Sequence, residues 1–202
     1  LQISDFVLSD QEETSSASTE YIVIQVSAGN NKAPYKTWPA RHWVAFIREL
    51  LNHYKQNNIV LLGDKNEKGF EDELTIKDER LTSLIGKTTI EQAMQVIGGS
   101  SLFVGLDGGL MHLAVVLNKP TFTIWGGSDP ELYGYEKIDS KRHKVIRKEI
   151  SCHPCNSWIA PNITKTSEPA KCPDFACLVT LSPYLVFKSF RVFFESLNTH
   201  AE

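Results

Sequence analysis

Short apolar runs, set off by polar and glycine-rich turns, dominate this chain. Tyr21–Val26, Asn58–Leu62, Leu102–Leu106 and Thr121–Trp125 are rich in β-branched, leucine and aromatic residues. They are too short for buried helices, so each predicts a strand covered on both faces. Between them the apolar period changes. Trp43, Phe46, Ile47, Leu50 and Leu51 fall on one face of a helix that Pro39 begins and that runs to about Tyr54. Leu81–Ile85, closed by Gly86, predicts a shorter strand, and Thr89 an N-cap for a helix through about Ile97. The charged stretch Asp64–Asp78 predicts a helix with a solvated face, and His143–Lys148 a last, edge strand. Ser182-Pro183 opens a long final helix, with Ser as cap and Pro at the first helical position. Strands alternating with helices imply right-handed crossovers and a parallel sheet. The expected fold class is therefore α/β: a Rossmann-like parallel sheet with helices on both faces, then a cysteine-rich loop and a long C-terminal helix. In segments, residues 1–20 (rich in Ser, Thr, Glu and Gln) read as a flexible lead-in. Residues 21–150 form the main domain, 151–180 the four-cysteine loop and 181–202 the final helix.

Ligands on such sheets sit outside the carboxyl ends of the strands. Ser27–Lys36, Gly63–Glu67, Gly86–Thr89, Asp107–His112 and Gly126–Asp129 all occupy such ends, so most of the polar and glycine-rich residues face one crevice. The turn Asp107-Gly108-Gly109 stands where strand becomes helix. Helix N-termini leave backbone N–H groups unpaired and carry partial positive charge. Glycines there let an anion approach the bare backbone, which makes the turn a candidate diphosphate cradle and the ligand a nucleotide-linked substrate.

Composition narrows the classes. Hydrophobic content of 42% and charged content of 22% over 202 residues describe an ordinary globular protein. A net charge of −3 gives no electrostatic case for nucleic acid. No apolar run approaches the roughly 20 residues needed to span a bilayer. The chain opens on Leu1 with no charged-then-apolar signal segment, which reads as a fragment of something longer.

The motifs, taken in order, resemble glycosyltransferase family 9. Lys36-Thr-Trp-Pro39 with Trp43 resembles its K-x-W-P-x-x-x-W segment, and Leu61-Leu-Gly63 with Glu67 its next strand and acidic loop. Leu84-Ile-Gly-Lys-Thr-Thr-Ile-Glu91 resembles its G-K-x-S-L-x-E step. Asp107-Gly-Gly-Leu-Met-His-Leu-Ala114 resembles its D-[ST]-G-x-x-H-x-A signature, and Lys119-Pro120 with Trp125-Gly-Gly-Ser-Asp-Pro130 its K-P…G-x-T-D-P ending. The chain departs at Gly108, where the family usually has Ser or Thr, and so lacks one hydroxyl in the phosphate turn.

The resemblance implies the C-terminal half of a two-lobed GT-B fold. That lobe binds a nucleotide sugar, with ADP-heptose the best-known donor. The acceptor, a lipopolysaccharide core or a protein, and the catalytic base belong to an N-terminal lobe. No catalytic residue is then expected in this chain, which alone would bind donor without turnover. It further implies a bacterial cytoplasmic enzyme, associated peripherally in its full-length form with the inner face of the cytoplasmic membrane, and no cofactor required for catalysis.

Each candidate residue has a bland reading beside the functional one. Asp107 suits donor sugar hydroxyls, but Asp also caps helices. The amides of Gly108, Gly109, Leu110 and Met111 suit the diphosphate. His112 suits a phosphate hydrogen bond, yet a lone His is commonly a packed, satisfied side chain. Lys36 suits a departing diphosphate, or is an ordinary surface lysine. Glu67 suits a ribose, with Asp64 its rival, or both belong to a solvated charge run. Thr88 and Thr89 suit the adenine or phosphate side, though an N-cap explains Thr89 equally well. Asp129, of second rank, is explained as well by a turn.

All four cysteines lie in one loop, as Cys152-x2-Cys155, a gap of sixteen, then Cys172-x4-Cys177. The spacing resembles a tetrathiolate finger holding a structural zinc or iron. Disulfides or reduced thiols are the alternatives, and some family members carry a four-cysteine iron site. Two rival functions stay open at this level: a non-catalytic sugar-nucleotide or partner-binding module, and a cysteine finger used for docking or oligomerisation.

Overall fold

The structure, a computed structural model, describes residues 20–27, 36–65, 68–155, 172 and 174–199. The strands are β1 (Tyr21–Gln25), β2 (Asn58–Leu62), β3 (Leu81–Ser83), β4 (Leu102–Leu106), β5 (Thr121–Trp125) and β6 (His143–Arg147). The helices are α1 (Ala40–His53), α2 (Lys68–Glu73), α3 (Ile90–Gly98), α4 (Gly109–Val116), α5 (Pro130–Tyr133), α6 (Ala176–Val179) and α7 (Pro183–Thr199).

The sheet runs β3-β2-β1-β4-β5-β6, every pair parallel, with Ile22 beside Ile59 on one side and Leu102 on the other. The chain leaves β1 in one direction through β2 and β3, then returns to β1's opposite flank with β4. The carboxyl ends of β1 and β4 thus flank a topological switch point, where such sheets open a crevice.

Alternate strand residues bury against different layers, as a period of two requires. Ile22, Ile24, Ile59, Leu61, Val104 and Phe122 join α1 and α7 in one core. Val23, Val60, Leu62, Phe103 and Trp125 join Val96, Ile97, Met111 and Ala114 of α3 and α4 in the other. Helices therefore cover both faces, as the apolar runs require. Edge-on aromatic contacts link the helices of the first core: Phe46 to Phe187 and Phe190, and Tyr54 to Phe194. Thr89 caps α3 through a reciprocal box, its Oγ1 accepting from Gln92 N at 3.3 Å while its own N–H donates to Gln92 Oε1 at 2.9 Å.

Two predicted elements are shorter than expected. The strand read as Leu81–Ile85 stops at Ser83, because the chain turns through Gly86 at φ 66°. A Cβ at Gly86 would stand 2.8 Å from Lys65 Cα, so glycine is required for space as well as conformation. The helix read across Asp64–Asp78 covers only Lys68–Glu73. The lead-in and most of the cysteine loop lie outside the described residues. Among the described residues no helix is long and apolar enough to cross a membrane.

Three histidines, His42, His143 and His153, are held below the usual value of 6.5, burial being the first cause in each. A neutral folded imidazole binds fewer protons than its unfolded counterpart once pH falls below that value. The stabilisation is complete above about pH 6.5 and declines as pH falls from there toward the depressed folded values. Thermal melts are expected to be flat from pH 8 to 7 and to drop steadily by pH 5. A melting temperature that rises on acidification would contradict this account.

Candidate functional site

A buried charge cluster forms at the switch point. Asp107 leaves the end of β4 with 4% exposure and meets Lys36, 8% exposed, at 2.5 Å between Nζ and Oδ2. The hydroxyl of Ser128, from the turn after β5, donates to the same Oδ2. Lys36 reaches this point because the next residues are anchored. Trp38 is fully buried, its Nε1–H donates to Leu181 O at 2.9 Å, and its ring meets Trp43 edge-on at 5.1 Å. The carbonyl of Pro39 accepts from His42 N and Trp43 N, starting α1.

Helix α4 begins directly beside the cluster. Its N-cap, Gly108, makes no side-chain capping bond. The amides of Met111 and His112 already donate to Gly108 O, at 3.1 and 3.4 Å. The amides without an intrahelical acceptor are then those of Gly108, Gly109 and Leu110. Gly109 is exposed, and a Cβ built there meets nothing within 4 Å, so the space beside this turn is open. The side chain of Met111 points into the core and is buried.

On the far side of this helix end lies a cavity of about 530 Å³. Its floor and walls include Gln25, Leu62, Ile90, Ala93, Leu110 and Leu113, with Ser27, Asp64, Thr88 and Thr89 as polar contributors. The crevice therefore has an apolar slot and a charged end, with Gly108–Leu110 between them. Another cavity, about 570 Å³, lies along the edge strand β6. Its charges are mutually paired, Lys144 with Glu136, Arg147 with Glu149 and Lys137 with Glu131, which leaves no uncompensated charge to bind a ligand.

The structure brings most sequence-predicted residues to these two regions. Thr88, Thr89, Asp64, Gly109 and Leu110 line the slot. Lys36 and Asp107 form the charged cluster. His112 stands in the first turns of α4, half-buried, with Nδ1 2.8 Å from Tyr135 OH and its ring edge-on to that tyrosine. Asp129 caps α5, accepting from Glu131 N at 2.9 Å. Glu67 lies outside the described residues. Sequence reasoning missed Gln25 in the slot, Tyr135 beside His112 and Ser128 on Asp107. Only the position of Ser128 at a strand's carboxyl end signalled it in advance.

The four cysteines are thiols, Cys152 and Cys155 exposed, Cys172 half-buried and Cys177 buried. The Cys177 thiol is pushed up to about 11, first by burial and then by Cys155, Cys172 and Cys152 nearby. The Phe175 amide donates to Cys172 Sγ at 3.3 Å. Among the described residues no three His, Cys, Asp or Glu side chains are placed to hold a metal ion. The tetrathiolate expected from spacing is therefore not assembled in this arrangement, although Cys152, Cys155 and Cys172 all lie within electrostatic range of Cys177. One pair is docked on the site instead. His153 Nε2–H donates to Gly126 O at 2.5 Å, and Cys155 Sγ lies 3.8 Å from Gly127 O.

A doubly wound parallel sheet, with a buried ion pair and an uncapped helix end at its switch point, defines the class: an α/β protein with its ligand crevice at the strands' carboxyl ends. Residues 1–162 match glycosyltransferase family 9 (heptosyltransferase), and the chain belongs to that family. It is 32% identical over 158 residues to lipopolysaccharide heptosyltransferase 2 of Salmonella typhimurium, a match covering 76% of this chain and 44% of that protein. The chain thus spans less than half the length of this relative. Among solved structures, E. coli ADP-heptose lps heptosyltransferase II superposes with a TM-score of 0.66 at 21% identity, over 93% of this chain and 49% of that one. The iron-containing dodecameric glycosyltransferase TibC of enterotoxigenic E. coli superposes at 0.64 with 17% identity, over 93% and 48%. At these identities the likeness establishes the fold.

Proposed function

We propose that this chain is the donor-binding, C-terminal lobe of an inverting glycosyltransferase that moves heptose from ADP-heptose to a lipopolysaccharide-core or protein acceptor. The observation that carries the reading is the buried Lys36–Asp107 pair beside the open amides of α4. A base stacks in the apolar slot between Ile90, Ala93, Leu110 and Leu113. The diphosphate meets the amides of Gly108–Leu110, and the sugar lies toward Asp107. Negative charge grows on the diphosphate as the anomeric bond breaks. The helix end and the Lys36 ammonium are already oriented to stabilise it, which is how preorganised groups lower a barrier. Support also comes from the relatives, which are lipopolysaccharide heptosyltransferases, and from the solved structure of E. coli WaaC with ADP, 27% identical over 72% of this chain.

In this reading the base and the acceptor site belong to a second lobe, so the chain alone binds donor and does not turn it over. The full-length enzyme works at the inner face of the cytoplasmic membrane. Calorimetric titration with ADP, UDP and GDP tests the assignment. ADP is expected to bind at least tenfold more tightly than the other two, a difference within reach of a few directed hydrogen bonds. No binding of any nucleoside diphosphate would remove the donor-lobe reading.

A further inference from the structure

We propose that Ser128 is a positioning residue for the donor's sugar: it holds Asp107 so that one carboxylate oxygen faces the crevice as an acceptor for sugar hydroxyls. This rests on the donor-lobe reading and adds to it a residue that touches no ligand. Ser128 is fully buried, and its hydroxyl donates to Asp107 Oδ2. Lys36 grips that same oxygen. Both of these contacts fall on Oδ2, and Oδ1 is not among the buried atoms left without a partner, so it reaches the crevice. Here two donors occupy one oxygen and fix the rotation of the group, which turns the other into the free acceptor.

The turn that carries Ser128 is itself clamped. His153 bonds Gly126 O on its outer side and Cys155 covers Gly127. A Cβ on Gly127 would stand 2.8 Å from Cys155 Sγ, so a side chain there would push the thiol off the turn. Downstream, Asp129 caps α5, and Pro130 fixes the first residue of that helix. The Ser128 hydroxyl is thus presented by a segment held at both ends. A hydroxyl on a loose turn would not discriminate between rotations of a neighbouring carboxylate.

The test compares affinities for ADP and for ADP-heptose in the wild-type chain, Ser128→Ala and Ser128→Thr. The ratio of the two dissociation constants isolates what the sugar contributes. Ser128→Ala is expected to reduce that ratio about tenfold while leaving ADP affinity within about twofold, the size of one well-placed hydrogen bond. Ser128→Thr, which keeps the hydroxyl, is expected to restore the ratio. Ser128→Cys preserves volume with a weak donor and gives the same readout should the alanine variant fail to fold. An unchanged ratio, or equal loss for both ligands, would overturn the assignment, since a merely structural serine would move both together. Wild type binding ADP and ADP-heptose equally would overturn this inference alone. Wild type binding neither would overturn the donor-lobe reading and this one with it.

Discussion

Replacing Lys36 with Met is expected to lower stability by about 3–5 kcal/mol, the usual cost of stranding one partner of a buried ion pair. Asp107 would keep only the Ser128 hydroxyl in a setting almost closed to water. Urea denaturation measures this effect. Removing the orphaned charge as well, in Lys36→Met/Asp107→Leu, is expected to recover most of the loss, because desolvation then no longer opposes folding. Nucleotide affinity should not recover, since neither the ammonium nor the carboxylate returns. A single variant as stable as wild type would show that the pair is solvated in solution and does not organise the crevice.

The second large effect is expected at Trp38. Trp38→Ala removes a fully buried indole that meets Trp43 and Phe46 edge-on and ties to Leu181 O. Large-to-small changes of this kind cost about 3–5 kcal/mol, with transfer and cavity contributions together. Trp38→Phe keeps most of the ring contact and loses the Nε1–H bond, for about 1–3 kcal/mol if the Leu181 carbonyl stays buried and unpaired. Both are read by denaturant unfolding. Because Trp38 lies two positions from Lys36, Trp38→Ala should also weaken nucleotide binding beyond what Trp38→Phe does. Equal affinity in the two variants would separate the anchor from the site.

Much of this was legible in the chain because its signals are local. A parallel strand covered on both faces must be an apolar run, so β1, β2, β4 and β5 stood out within a residue of their bounds. The Thr89 cap and the Pro183 start are likewise short-range chemistry. Boundaries set by a turn were misjudged. The strand of Leu81 ends at Ser83 because backbone geometry at Gly86, not hydrophobicity, terminates it. In the site, Asp107 and the α4 amides were legible because strand, turn and helix are contiguous there. Lys36 read equally well as a surface cation, and its burial against Asp107 depends on Trp38 docking on Leu181, just before α7.

The sequence by itself determined the alternation of strands and helices, the glycine-opened start of α4 and the set of polar residues at the strands' carboxyl ends. Tertiary structure alone decided which of them meet. Strand order places β1 between β2 and β4, and so sets Lys36 against Asp107 and Ser128. It also docks the segment of His153 and Cys155 on the Gly126–Gly127 turn, with Cys177 close enough to feel the other three thiols. Periodicity encodes which side of an element is buried, because burial is read residue by residue. Contact between distant residues depends on the order and register of the whole sheet, which no local pattern carries.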